Sequence, residues 1–311
     1  MNTRDAETKV ITTDGGVRVF EDYRNNMVID PEHPLLMWKA RLPRETIEVG
    51  EAAGLSRLGS ENSEDALTWN YFMGLHRLGS LVLLQFATRI RSWMSDERQD
   101  YRLLFWGRDA DRDGKPHTPL QRVLDRMEPW GAGGLKQQTE SDVIVLSKGA
   151  TIVIESKLGK AGTVVDAWMR KRSGIPEDYR RFAETLVAPL FVDSFDWEGD
   201  GQRFYQLMRN WILANALGRR RRAYLVAIVN GKTSNACGGS HADEFERFRS
   251  LIHPSLRDRA VILTWQDLYD DLCGCRAVFG CGETRELSYV KVLNWMENNR
   301  ALALNHWTRR T

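Results

Sequence analysis

No stretch of this sequence is apolar for the roughly 18–20 residues that a membrane-spanning helix requires, which argues against a helical membrane protein. Cysteine is scarce. The four present (Cys237, Cys273, Cys275 and Cys281) are too few for a disulfide-stapled secreted fold of this size. The last three form a C-x-C-x5-C cluster without the paired C-x2-C spacing of structural zinc sites. Reduced thiols are therefore the default reading, with a zinc site that includes Cys237 as the alternative. Net charge is nearly absent: 44 Lys and Arg face 42 Asp and Glu, a formal +2, so no global field points to nucleic acid. There is no internal repeat and no low-complexity segment, which excludes solenoids and long solvated linkers. The first residues, Met1 to Lys9, lack the apolar core of a signal peptide, so a cytoplasmic location is expected.

The composition that remains, 42% hydrophobic and 28% charged over 311 residues, is that of a globular protein with a substantial core. Val10–Thr13 and Val17–Phe20 flank Asp14-Gly15-Gly16 as an N-terminal hairpin, after which Asp30-Pro31 and His33-Pro34 break regular structure. A helix is predicted from Ser60 or Ser63 onward, with Leu67, Tyr71, Leu75, Leu78 and Val82 as its stripe. Glu64 continues that stripe. It reads either as an acid favoured by the helix N-terminus or as an inward carboxylate. Tyr101–Trp106 is a predicted strand, 107–119 a loop and Leu120–Met127 a short helix. Helices follow at 163–172, 176–188 and 201–217, then strands at Ala223–Val229 and Ala260–Thr264, and helices from Trp265 and from Leu287. This order predicts an α/β (α+β) sheet flanked by helices, not a clean Rossmann alternation.

The most informative stretch ends at Lys157. Two runs rich in Val and Ile, Val143–Leu146 and Thr151–Ile154, flank Ser147-Lys148-Gly149-Ala150, and this predicts a β-hairpin. A two-residue loop at Lys148-Gly149, or a four-residue loop at 147–150, places Asp142 opposite Glu155 and Glu140 opposite Lys157. A three-residue loop shifts the register by one. In the first register these four side chains share a face with Ile144, Leu146, Thr151 and Val153, so the face passes from apolar to charged along its length. Opposed carboxylates destabilise a sheet unless a cation offsets them. Oxygen-only ligands suit Mg²⁺ or Mn²⁺.

The set Asp142…Glu155-x-Lys157, carried on a hairpin after an acid-bearing helix, resembles the active site of the PD-(D/E)xK nuclease superfamily. Ser141 stands where that pattern has proline. Ser60 to Asn70 is similar to a helix of uncharacterised bacterial restriction-endonuclease-like proteins. The resemblance covers 60–272. It implies a restriction-endonuclease-like core with a central mixed sheet flanked by helices at 49–275, preceded by an arm at 1–48 and followed by a helical extension at 276–311.

It further implies a Mg²⁺- or Mn²⁺-dependent nuclease acting on DNA, with RNA left open, in restriction, anti-phage defence or a mobile element. A homodimer or a defence-system partner protein belongs to the same expectation. Asp142, Glu155, the Ser156 backbone carbonyl and Glu64 are the implied metal ligands, Lys157 the third catalytic residue, and Glu140 a supporting partner of Lys157. Tyr205, Gln206 and Arg209 read either as a nucleic-acid groove or as a solvated helix face. Arg219 to Arg222 read as phosphate contacts or as cations favoured by a helix C-terminus. The competing function is a lapsed nuclease fold that binds nucleic acid or serves as a scaffold subunit.

Overall fold

The structure, a computed structural model, describes residues 8–77, 101–112, 114–129, 140–158, 175–218, 221–231, 240–274, 283–299 and 302. Leu78, Val82, the predicted helix at 163–172, Arg219, Arg220, Cys237, Cys275 and Cys281 lie outside the described residues. The chain forms two compact units, one made of Met1–Ser80 with Tyr269–Thr311 and the other of Leu81–Leu268. The expected boundary at 48/49 therefore falls inside the first unit. Among the described residues no helix is long and apolar enough to cross a membrane.

In the first unit, β1 (Val10–Thr12) and β2 (Arg18–Phe20) form the expected antiparallel hairpin. Pro34 starts a helix instead of breaking structure. It occupies the first turn of α1 (Pro34–Ala40), where its missing N–H costs nothing, and the His33 ring accepts from the Leu35 N–H. The next helix, α2 (Glu64–Arg77), is capped by Ser63, whose Oγ accepts from Ala66 N–H at 3.1 Å. It is buried on every side from Ala66 to Leu75, so Asn70 and Trp69 must find partners. Asn70 Oδ1 accepts from Val28 N–H and its amide donates to the Asn26 carbonyl, while Trp69 Nε1 donates to Ile29. These bonds tie α2 to the N-terminal segment, which is why it groups with it.

The second unit is built on a six-stranded mixed sheet. Its strands are β3 (Arg102–Phe105), β4 (Arg108–Asp109), β5 (Val143–Leu146), β6 (Ala150–Lys157), β7 (Arg222–Val229) and β8 (Ala260–Thr264), in the order β4-β3-β5-β6-β7-β8. The first four are joined antiparallel, whereas β6, β7 and β8 run parallel. The β5–β6 register pairs Leu146 with Thr151 and Val143 with Ile154, as the tight-turn reading requires. Ser147 closes the turn: its N–H donates to the Ala150 carbonyl and its Oγ accepts from Ala150 N–H. One departure is β4, placed in sequence within a loop. Trp106 and Gly107 both have positive φ (49° and 76°), the conformation of a two-residue hairpin turn whose twist matches its strands.

Helices α3 (Thr118–Met127), α4 (Ile175–Glu184), α5 (Gly199–Arg203), α6 (Tyr205–Leu217) and α7 (His241–Leu251) belong to this unit, and α8 (Trp265–Gly274) leads the chain back to the first. Phe204 separates α5 from α6, where a single helix is predicted. Ile144, Leu146, Val153, Leu225 and Ala227 form one continuous core with Leu207, Trp211 and Phe248. Leu225 sits fully buried on the central strand, so Leu225→Ala should cost about 2–5 kcal/mol, read as a lower midpoint in urea unfolding.

Candidate active site

The register continued one step past Val143 and Ile154 brings Asp142 level with Glu155, at the end of the hairpin away from its turn. The peptide groups of β6 alternate between its two neighbours. Gly149 and Lys157 carbonyls accept from Arg222 and Asn230 of β7, so the even-numbered peptides face β5. Ser156 is one of these, and its N–H donates to Asp142 Oδ2 at 2.7 Å. The Asp142 carboxylate, the Ser156 peptide and the Glu155 side chain are thus gathered at one strand end. The Asp142 carbonyl also accepts from Trp106 N–H, so the β3–β4 turn buttresses the same point.

Glu155 is 4% exposed, and a carboxylate so placed needs partners for its charge and lone pairs. It has one on each oxygen: Oε1 pairs with Lys157 Nζ at 2.9 Å, and Oε2 accepts from Asn210 Nδ2 at 2.6 Å. The Asn210 amide is oriented from its other side. Its Oδ1 accepts from Ser141 Oγ at 2.7 Å and from Arg209 Nη1 at 2.8 Å. Arg209 Nη1 also donates to Ser141 Oγ, and Arg209 Nε pairs at 2.7 Å with Glu128, itself wholly buried. The Tyr179 hydroxyl completes the chain by donating to Glu128 and sharing a 2.8 Å bond with Tyr205. Burial opposes the Arg209 charge, but Glu128 and the two tyrosines outweigh it and hold its pKa above the ordinary arginine value. Burial, followed by the Glu128 charge, pushes the Tyr179 hydroxyl well up.

Residues 128–275 match a family described as "Restriction Endonuclease associating with ARP". That segment is similar to the restriction endonucleases that the description names. It begins at Glu128 and takes in the hairpin, α6 and both remaining parallel strands, so the whole polar chain from Glu128 to Lys157 lies within it. No curated protein and no solved structure matches the chain.

Several expected positions differ. Arg209 and Tyr205 are 2% and 5% exposed and committed to Glu128 and Tyr179, so from these positions they offer nothing to a nucleic acid. Gln206 is half-buried beside them. Lys157 is paired along its own strand with Glu155, and the Glu140 charge bears on Arg108, where it partly offsets the effect of burial. Glu64 is the first residue of α2, in the other compact unit. Of the rest of the Arg219–Arg222 run, Arg221 and Arg222 are described and exposed. Cys273 is half-buried and its thiol bears on the Tyr269 hydroxyl, and among the described residues no three His, Cys, Asp or Glu side chains stand together as a metal-binding group.

The residues missed were Glu128, Ser141, Tyr179 and Asn210. A signal existed for Asn210, and for the inward place of Arg209. Helix α6 is apolar nearly all round, and a helix of that kind is buried, so Arg209 and Asn210 on it had to be inside and partnered. Removing one member of the Glu128–Arg209 pair strands a buried charge. Arg209→Met should therefore destabilise the protein by about 3–5 kcal/mol in urea unfolding, with most of that recovered by adding Glu128→Leu.

Proposed function

We propose that this protein is a metal-dependent nuclease that hydrolyses phosphodiester bonds of DNA. The single observation that carries the reading is the gathering of Asp142, Glu155, the Ser156 peptide and Lys157 at one strand end of a restriction-endonuclease-like unit. The donor chemistry fits a hard cation: two carboxylates and a backbone carbonyl, all oxygen, and too few protein ligands to displace its waters. Those are the terms on which Mg²⁺ is held. Asp142, Glu155 and the Ser156 carbonyl would hold it. When bound, the ion polarises a phosphoryl oxygen and lowers the pKa of water.

The chain's own residues supply the rest. Glu155 keeps Lys157 at the site through their 2.9 Å pair, so the ammonium is in place to donate to the charge that grows on the phosphoryl oxygens. Asn210 holds the opposite oxygen of Glu155 and limits its rotation. Because the partners of Asn210 reach back through Arg209 to Glu128, the carboxylate is braced by the core and not by a surface loop. Such preorganisation spares reorganisation during reaction. A setting in restriction or anti-phage defence, and a protein partner of the kind the family description names, belong to the same proposal.

A second reading rests on the same pair. Glu155 is already balanced by Lys157 and Asn210 without any ion, as a fold that binds nucleic acid without cutting it would also have it.

Incubation of duplex DNA with the full chain and Mg²⁺ separates the two. The nuclease reading predicts cleavage that stops on chelation and falls by at least about 10²-fold in Asp142→Ala and in Lys157→Ala. A wild type that binds DNA in a salt-sensitive way yet cuts no nucleic acid establishes the second reading instead. Asn210→Ala should lower kcat by about 10-fold or more while leaving metal-free DNA affinity unchanged, measured by single-turnover kinetics and anisotropy.

A further inference from the structure

The strand ends opposite Asp142 and Lys157 carry a row of cations. Arg102 opens β3 and is level with Leu146 at the end of β5. Lys148 lies in the β5–β6 turn, and the adjoining Gly149 carbonyl accepts from Arg222 N–H at 2.9 Å, which brings Arg221 and Arg222 beside it. Arg259 precedes β8 at the same end, and Arg112 follows β4 there. With neighbouring strands about 4.8 Å apart, the row runs roughly 24 Å across the sheet. The length of β6 separates it from the catalytic end by a similar distance, about 23 Å.

Arg102, Lys148, Arg221 and Arg222 are all exposed. Among the described residues no ion pair holds any of them, in contrast to Arg180, Arg181 and Arg249, which are matched by acids on their own helices. Their closeness has an independent sign: Arg102, Arg112 and Arg221 all bear on His117 and, after burial, help to push its pKa down. The nearby acids are few. Asp109 pairs loosely with Arg112, Asp111 acts on Tyr101, and Asp258 acts on Tyr224 beside Arg222 and Arg259.

We propose that this rim is a second nucleic-acid contact, which binds the phosphate backbone of duplex DNA at a place separate from the cleavage end. Its chemistry selects that ligand over an acidic protein. A protein interface needs buried aromatic or aliphatic anchors, and among the described residues the exposed large hydrophobics, Val10, Val49 and Val187, are elsewhere in the chain. Exposed guanidinium groups held by no ion pair, those of Arg102, Arg221 and Arg222, suit a phosphate chain, which they bind through paired N–H donors and by releasing its counterions. The proposal rests on the nucleic-acid reading above for its ligand, but its test needs no cutting.

The probe is a fluorescein-labelled 20-base-pair duplex, titrated with the full chain in EDTA over a range of NaCl concentrations and followed by anisotropy. The variant carries Arg102→Gln, Lys148→Gln, Arg221→Gln and Arg222→Gln. It should bind at least 10-fold more weakly at low salt, and its log K against log salt slope should be shallower by about 3–4, one charge contact per residue. If the quadruple variant does not fold, the two pairs Arg102→Gln with Lys148→Gln and Arg221→Gln with Arg222→Gln carry the test, each with about half that change in slope. A wild type that binds no duplex, or a variant within twofold of wild type with the same slope, overturns the proposal. So does loss of binding to a polyglutamate peptide with duplex binding intact, which would make the rim a protein site. If rim-dependent binding is found but Mg²⁺ gives no cleavage, the nuclease reading fails and the rim stands.

Discussion

A carboxylate buried to 4% exposure on a central strand is the constraint that the second unit is built to satisfy. Glu155 cannot keep its charge there without a donor at each oxygen, and the fold brings both from different directions: Lys157 from the same strand and Asn210 from α6. Asn210 in turn is oriented by Ser141 and Arg209, and Arg209 needs Glu128 because an arginine at 2% exposure must be balanced. One buried charge at the hairpin end thus draws in residues from α4 and α6, the C-cap of α3 and the segment just before β5. The chain of bonds also locks their spacing, which is what a site that acts by positioning and electrostatics requires.

This view gives Ser141 a purpose. In the nuclease pattern that the hairpin resembles, the residue before the aspartate is proline, which has no donor or acceptor to offer from its side chain. Here the hydroxyl donates to Asn210 and accepts from Arg209, so the substitution of type at this position couples strand β5 to α6. The Arg209 charge is consumed internally, so under the proposed function cations for DNA must come from elsewhere. At the opposite strand ends Arg102, Lys148, Arg221 and Arg222 stand exposed, and among the described residues no ion pair holds them.

Much of the hairpin was legible because its signals are local. Strand parity, the Val and Ile runs and Gly149 at the turn together set which residues face one another, and the observed pairing of Leu146 with Thr151 follows that logic. The strands at 222–229 and 260–264 were legible as apolar runs, although only the first is buried along nearly its whole length.

What failed was non-local. Arg209 and Glu128 are 81 positions apart, and nothing in the local pattern of either shows that they meet. Arg209 was placed on a polar side by helical spacing, although the apolar surroundings on α6 required it to be inside. The Pro34 helix start was misread because proline both ends and begins helices, and only the His33 cap distinguishes the two. The grouping of α2 with the termini depends on Asn70 and Trp69 reaching backbone carbonyls about 40 residues earlier, which no periodicity reports.

The central claim is that Asp142 and Glu155 share one divalent cation. A crystal structure of the full chain soaked in Mn²⁺, read by anomalous scattering, tests it most directly. The account predicts a single strong peak at about 2.0–2.3 Å from a carboxylate oxygen of each residue and from the Ser156 carbonyl, with water filling the remaining positions. A structure in which Glu155 keeps both Lys157 and Asn210 and no ion lies between the carboxylates, at saturating Mn²⁺, would contradict it.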